Sequence, residues 1–336
     1  MPTHVTMADV AREASVSLMT VSRVINNKDG VSDETRRAIQ DIIGKLGYRP
    51  SSIARSLATQ RTGTLGLVVP DISNPFFSSV AHGVEQVAYD EGYGILLCNT
   101  KEDPQREVDV MQLLEEKRVD GILLCSPRLE QKQLSKAIEN HPAVVLINRT
   151  LKTRKNSHTL GSVIIDDDMG GRLATNHLIG LGHRRIGFIA GPSNSFSGQR
   201  RQHSFQAALL EAGIPFHQEL TRPCWPSVEG GEAAAKELIN AHPEMTAIFC
   251  YNDLVAVGAL QACKDLGLNV PGDLAIVGYD DIPLAALVTP PLTTCRVQRE
   301  ELGSRAAYLL LTYINGCPQD CSDLVVKPEL VVRLSA

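Results

Sequence analysis

A small helical head joined to an α/β body of parallel sheets in two lobes is the architecture this 336-residue sequence predicts, and three observations carry it. The first is a pair of short amphipathic helix patterns near the amino terminus, separated by a three-residue turn. The second is a change of period at Thr64, where short β-rich runs begin to alternate with helix-length stretches. The third is the number of those runs, too many for one small sheet.

In the head, Met7, Val10, Ala11 and Ala14 recur at i, i+3, i+4 and i+7 and paint an apolar stripe on the first helix. Thr6 caps it and Asp9 completes a capping box. Ser15-Val16-Ser17 is too short for anything but a turn, and Ser17 caps a second helix whose Val21, Val24 and Ile25 face inward. Leu18, Met19, Ser22, Arg23 and Asn26 are left outside. Leu and Met in an exposed first turn are odd for a solvated surface but suit the major groove of DNA, where the first residues of a helix meet base edges. A plain helical hairpin would share the spacing and the caps. After a turn at 27–30, Ser32 caps a third helix in which Ala38, Ile39, Ile42, Ile43 and Leu46 share one face, and Gly47 ends it. So small a bundle must commit its apolar faces almost wholly to each other.

Residues 51–58 read as a turn and a half of helix, too short to stand alone in water, so something must order them. Beyond them the runs at 64–70, 94–98, 121–125, 143–147, 162–165, 186–190, 247–250 and 274–278 read as strands. Helix patterns at 75–89, 105–117, 170–181, 198–212, 230–241 and 254–266 alternate with them, and strands buried on both faces between helices mean parallel sheets. A polar stretch at 151–160 marks a lobe boundary.

Composition narrows the class. The hydrophobic content of 43% suffices for packed cores, no run of about 18 apolar residues exists to span a membrane, and the first residues lack the apolar core of an export signal. A cytoplasmic protein is expected. Cys98, Cys125, Cys224, Cys250, Cys263, Cys295, Cys317 and Cys321 are scattered without a CxxC pair and read as buried thiols. Cys317 and Cys321 could bridge, but a reducing compartment argues against it, and metal-ligand spacing is missing. The net charge of −5 conceals an asymmetry: eight basic and six acidic side chains in the first 60 residues leave +2 there and −7 on the rest. A modestly basic head on an acidic body fits a DNA reader attached to a domain with another task. The first strand-to-helix turn, residues 69–75, contains no glycine, so neither a GxGxxG nor a GxxxxGK[ST] phosphate cradle is present and a nucleotide-binding enzyme is disfavoured.

The stretches DVAREASVSLMTVSRVIN and VSDETRRAIQDIIGKLGYRPSSIARSLA resemble the amino terminus of the LacI family of bacterial transcription regulators, nearest its ribose and purine repressor branch. The resemblance runs through nearly the whole chain. It implies a helix-turn-helix domain over 1–50, a hinge helix and linker over 51–62, and a periplasmic-binding-protein-like body over 63–336 that binds effector and dimerises. The first lobe would comprise roughly 63–160 and 291–318, the second roughly 161–290 and 319–336. DNA contacts are expected at Thr6, Ser17, Leu18, Met19, Thr20, Ser22, Arg23, Asn26, Ser32, Thr35, Tyr48, Ser51 and Arg55, with Leu57 wedged between the central base pairs. One departure is Ser15, where the family's turn usually has glycine; a left-handed serine is mildly strained.

A sugar needs planar hydrogen-bonding groups for paired hydroxyls and aromatic walls for its apolar faces. Loops after the strands supply Asn74, Phe76, Phe77, Asn148, Arg149, Arg201, Trp225, Asn252 and Asp280, which match family ligand positions in NPFF, YNDLVAVGAL and VGYDD. Singly, each has a plainer role in the core or as a cap. Asn148 stands where many relatives have Asp, and Val297 where relatives often have Gln, so polar contacts are fewer; Arg149 and Arg201 would suit a charged ligand. Asp280 and Asp281 are adjacent on a strand end and point apart, which disfavours a paired-carboxylate glycosidase. No catalytic residue, metal or cofactor is expected.

The resulting expectation is a homodimeric regulator, in the repressor sense, on pseudo-palindromic double-stranded operator DNA, controlled by a small sugar, sugar acid or sugar phosphate and independent of membranes. A corepressor-dependent repressor of the purine type is the alternative. A solute-binding protein without DNA function is the rival class; it would need an export signal and no recognition helix. The absence of leucine heptads at the carboxyl end disfavours a zipper-built tetramer.

Overall fold

The computed structural model describes residues 5–48, 56, 61–151, 160–316 and 324–336. They fall into two compact units divided after Gly63. Ser51, Arg55 and Leu57, the polar stretch at 152–159, and Cys317 and Cys321 lie outside the described residues.

The head contains α1 (Met7–Glu13), α2 (Leu18–Ile25) and α3 (Asp33–Leu46). The caps fall where the sequence puts them. Thr6 and Asp9 form the reciprocal box, Ser17 accepts from the Thr20 amide, and Ser32 accepts from the Thr35 amide. Val10, Ala11, Val21, Val24, Ile39 and Tyr48 are the buried core, with Met7, Ala14, Ile25, Ile42, Ile43 and Leu46 packed around it. Ala38 is exposed, so the apolar face of α3 is narrower than its pattern suggests. Ser15 has φ 51°, the left-handed turn that its position requires.

The body has two six-stranded sheets. The first runs β11 (Leu324–Val326), β5 (Leu160–Ile165), β4 (Val144–Ile147), β3 (Gly121–Cys125), β1 (Thr64–Val69), β2 (Gly94–Asn99), with every pairing parallel. The second runs β12 (Glu329–Val331), β10 (Thr293–Arg296), β9 (Ala275–Asp280), β8 (Ala247–Cys250), β6 (Ile186–Ala190), β7 (Thr221–Pro223). Only β12 pairs antiparallel. The central strands β3, β4 and β8 are buried at every residue, as sheets covered on both faces must be.

In the first lobe the helices are α4 (Pro75–Asp90), α5 (Pro104–Glu116) and α6 (Gln131–Ala137); in the second, α7 (Asp167–Gly180), α8 (Phe196–Glu211), α9 (Val228–Ala241), α10 (Asp253–Asp265) and the short α11 (Pro283–Leu287). The last helix, α12 (Arg299–Ile314), returns to pack on α4 and on β3, β4 and β5. That packing is close: a Cβ on Gly83 would lie 2.1 Å from the Glu300 carbonyl, and one on Gly303 would lie 2.1 Å from the Val80 carbonyl.

The chain crosses between lobes at places the sequence division misses. β5 belongs to the first sheet, whereas the sequence division places residues 161–165 in the second lobe, and β10 belongs to the second sheet, whereas that division places 291–296 in the first. At the carboxyl end, β11 extends the first sheet and β12 the second, so the described residues 324–336 are divided between lobes. A short strand is claimed by whichever sheet edge can satisfy its backbone hydrogen bonds, and side-chain pattern carries no record of that choice.

Candidate functional site

On the head, the outer face of α2 presents Leu18 at 53% and Met19 at 67% exposure, beside the exposed Arg23. Several polar groups expected to touch DNA already have partners. Ser17 and Thr20 hydroxyls lie 2.9 Å apart, as do those of Ser32 and Thr35 at 2.8 Å, and the Asn26 amide donates to the Ser22 carbonyl at 2.8 Å. Thr6 donates through its backbone to Asp9 at 2.9 Å. These contacts stiffen the first turns that would approach a groove. Tyr48 departs from expectation, because it belongs to the bundle core rather than to this face.

In the body, a narrow crevice opens between the carboxyl ends of the strands of both sheets. Seven of the nine residues expected there line it: Asn74, Phe76, Phe77, Asn148, Arg201, Asn252 and Asp280. Strand order explains the convergence. Asn74 follows β1, Asn148 follows β4, Asn252 follows β8 and Asp280 ends β9, and parallel strands deliver all their carboxyl ends to one side. Asn74 and Asn252 cap α4 and α10 through their side-chain oxygens, donated to by Phe76 and Val255 amides at 2.9 and 3.0 Å. Capping and lining are therefore joint roles, since the cap holds the side chain while its amide nitrogen is left for another partner. The rings of Phe76 and Phe77 meet edge to face at 5.1 Å and form an apolar wall.

Arg201, on α8, is the electrostatic centre and is almost fully buried. Its Nε donates to Asp167 at 2.8 Å, an Nη donates to the Tyr251 carbonyl at 2.7 Å, and the guanidinium lies 3.5 Å from the Tyr279 ring centroid. Asp280 sits 3.7 Å away. Burial pushes the Asp280 carboxyl up to about 7, against the pull of Arg201 and Arg299 and with the repulsion of Asp167. Two carboxylates thus face the one guanidinium, so Arg201 offers no uncompensated positive charge to an anion. Asp281 turns away from Asp280 to Arg296 and Arg333, at 2.7 and 2.6 Å.

Arg149 and Trp225 do not line the crevice. Burial lowers the Arg149 pKa, and its guanidinium stacks 4.9 Å from the Phe196 ring centroid. Trp225 is 57% exposed, and its neighbour Pro226 takes the lining position. Val297 is buried. The sequence reading missed Glu102, Ser126, Ser197 and Tyr251, which complete the lining. Applying the strand-end rule to β2 and β3 as well would have pointed to the first two. Glu102, Ser126, Asn148 and Asp280 all have positive φ, at 59°, 45°, 56° and 109°. Such backbone costs about 1–3 kcal/mol per residue and clusters where side chains are aimed at a ligand.

No helix among the described residues is long and apolar enough to cross a membrane. The family model for periplasmic binding proteins and the sugar binding domain of the LacI family matches residues 62–326, and that for bacterial regulatory proteins of the lacI family matches 6–51. The transcriptional regulator DegA of Bacillus subtilis is 36% identical over 98% of this chain and 97% of its own length. The regulator GalR of Escherichia coli is 37% identical over 98% of this chain and 95% of its own. Among solved structures, a lac repressor dimer bound to operator and the anti-inducer ONPF superposes with a TM-score of 0.89, at 27% identity and 98% coverage of both chains. The head, the two-lobed body and these matches together place the chain in the LacI family of DNA-binding transcriptional regulators.

Proposed function

We propose that the protein is an operator-binding repressor, acting as a homodimer in the cytoplasm, whose grip on DNA is set by a small polyhydroxylated effector held between the body's lobes. The observation that carries the reading is the convergence of seven anticipated side chains from two separate sheets on one crevice, in a chain whose head carries a capped, groove-compatible helix. A mixed wall of Phe76 and Phe77 facing Asn148, Asn252 and Asp280 suits a molecule with an apolar face and hydroxyl edges. Because Arg201 is already paired with Asp167 at 2.8 Å, a neutral sugar fits better than a sugar acid or phosphate.

In this reading two copies of α2 enter successive major grooves of a pseudo-palindrome, and residues 51–58 pair over the central minor groove with Leu57 as wedge. The effector shifts operator affinity only by its differential affinity for two lobe arrangements, a coupling of about 1–3 kcal/mol or some 5- to 150-fold. No bond is made or broken.

The test has two stages. Selection of genomic DNA fragments on the purified protein yields an operator, and melting-temperature shifts across neutral sugars, sugar acids and sugar phosphates identify the effector class. Arg201→Met should then retain operator binding and lose the effector response. A variant that still responds would remove Arg201 from the site, and failure of every DNA fragment to bind would end the regulator reading.

A further inference from the structure

The strand β9 leads into two consecutive residues of positive φ, Asp280 at 109° and Asp281 at 53°. Both carry a Cβ, and such backbone persists only where the surroundings over-determine it. Four side chains hold this turn. Asp253, buried at the start of α10, accepts from the Ile282 amide at 2.8 Å and from the Thr294 hydroxyl at 2.6 Å. Arg296 and Arg333 grip the Asp281 carboxylate. Arg299 takes the backbone itself: one Nη donates to the Asp280 carbonyl at 2.6 Å and to the Asp281 carbonyl at 2.5 Å. The Asp280 carbonyl has one further donor, the Val297 amide, at a long 3.5 Å.

Arg299 differs from the other three in where it comes from. Asp253, Arg296 and Arg333 belong to the second lobe, whereas Arg299 opens α12, which packs on the first. Its base is firmly seated, because the Glu300 carbonyl rests against Gly83 of α4 with no room for a Cβ, and the Ser304 hydroxyl donates to the Gly83 carbonyl at 3.1 Å. The same α4 begins with Phe76 and Phe77, the apolar wall of the crevice. The wall in one lobe and Asp280 in the other are therefore joined through α4, α12 and the Arg299 guanidinium. Bonds from a charged donor are stronger than neutral ones, which suits this one to hold a backbone against its preference.

We propose that Arg299 is a positioning residue: from the first lobe it clamps the two carbonyls of the strained turn and so aims the Asp280 carboxyl into the crevice, in register with the Phe76–Phe77 wall. Without the clamp, Asp280 relaxes toward negative φ and its side chain leaves the lining position. The consequence for an effector rests on the function proposed above, since a ligand that touches both lobes gains affinity from a carboxyl already in place. The hold on the backbone does not rest on it.

Hydrogen exchange on the full-length, ligand-free protein reads the backbone alone. Arg299→Met is expected to speed exchange of the Ile282 and Val297 amides about tenfold, with the β8 amides at 247–250 unchanged. An unchanged rate at Ile282, or a loosening that carried β8 along, would overturn the clamp. A matched pair of backgrounds isolates the strain. Asp280→Ala keeps the Cβ that positive φ disfavours and Asp280→Gly removes it, so Arg299→Met should again give about tenfold in the first and about twofold or less in the second. Equal effects in both would make Arg299 a plain prop and defeat the proposal. Should Asp280→Gly fold poorly, the Ile282 amide in Arg299→Met decides alone. Because no ligand enters the measurement, a sugar panel without a binder counts against the effector reading and not against the clamp.

Discussion

Asp280 shows how one side chain is tuned by its surroundings. It ends β9 with φ 109°, and burial beside Asp167 raises its carboxyl to about 7 despite Arg201 and Arg299. Between the ordinary carboxylate range and about pH 7, the folded protein holds a proton that the unfolded chain has released. Stability through this group therefore falls as pH rises across that window and is lowest once the group is ionised. Asp280→Asn should flatten the dependence: the loss of melting temperature from pH 5 to pH 8 is expected to be smaller in the variant than in the parent. An equal loss in both would show that Asp280 is ionised throughout. In its protonated form the carboxyl can also donate to a ligand hydroxyl, so effector affinity should weaken between pH 6 and pH 8 in the parent alone.

At the scale of elements, the turn between α1 and α2 carries an identifiable strain. Ser15 at φ 51° occupies the left-handed region, which costs a residue with a Cβ about 1–2 kcal/mol. Ser15→Gly should stabilise the head by up to about 1 kcal/mol after the added entropy of the unfolded glycine is set against it. Urea unfolding followed in the head's own transition reads this, and a lower midpoint would mean that the serine side chain contributes something the backbone argument omits. The caps act in the opposite sense. Ser17→Ala should cost about 1 kcal/mol, since it leaves the Thr20 amide without its acceptor at the first turn of α2.

For the whole molecule, the functional quantity is the coupling between a head that meets DNA and a body that meets a metabolite. In the segment joining them, Leu57 lies outside the described residues. The family resemblance nevertheless gives a definite outcome: Leu57→Ala should reduce operator bending while leaving half-site contacts in place. A circular-permutation mobility assay measures this, and unchanged bending would remove the wedge.

Sequence alone determined the local features of this protein. The caps at Thr6, Ser17 and Ser32, the outward Leu18 and Met19, the strand runs and most crevice residues were legible because each depends on period, capping chemistry or position after a strand. Tertiary structure decided which sheet takes β5, β10 and β11, since edge pairing is settled by backbone partners far away in the chain. It also drew Tyr48 into the head's core and turned Trp225 out of the crevice. The balance of charge around Arg201 and the buried Arg128–Glu102 pair were invisible for the same reason: they join residues separated along the chain, and only folding brings those charges within reach of one another.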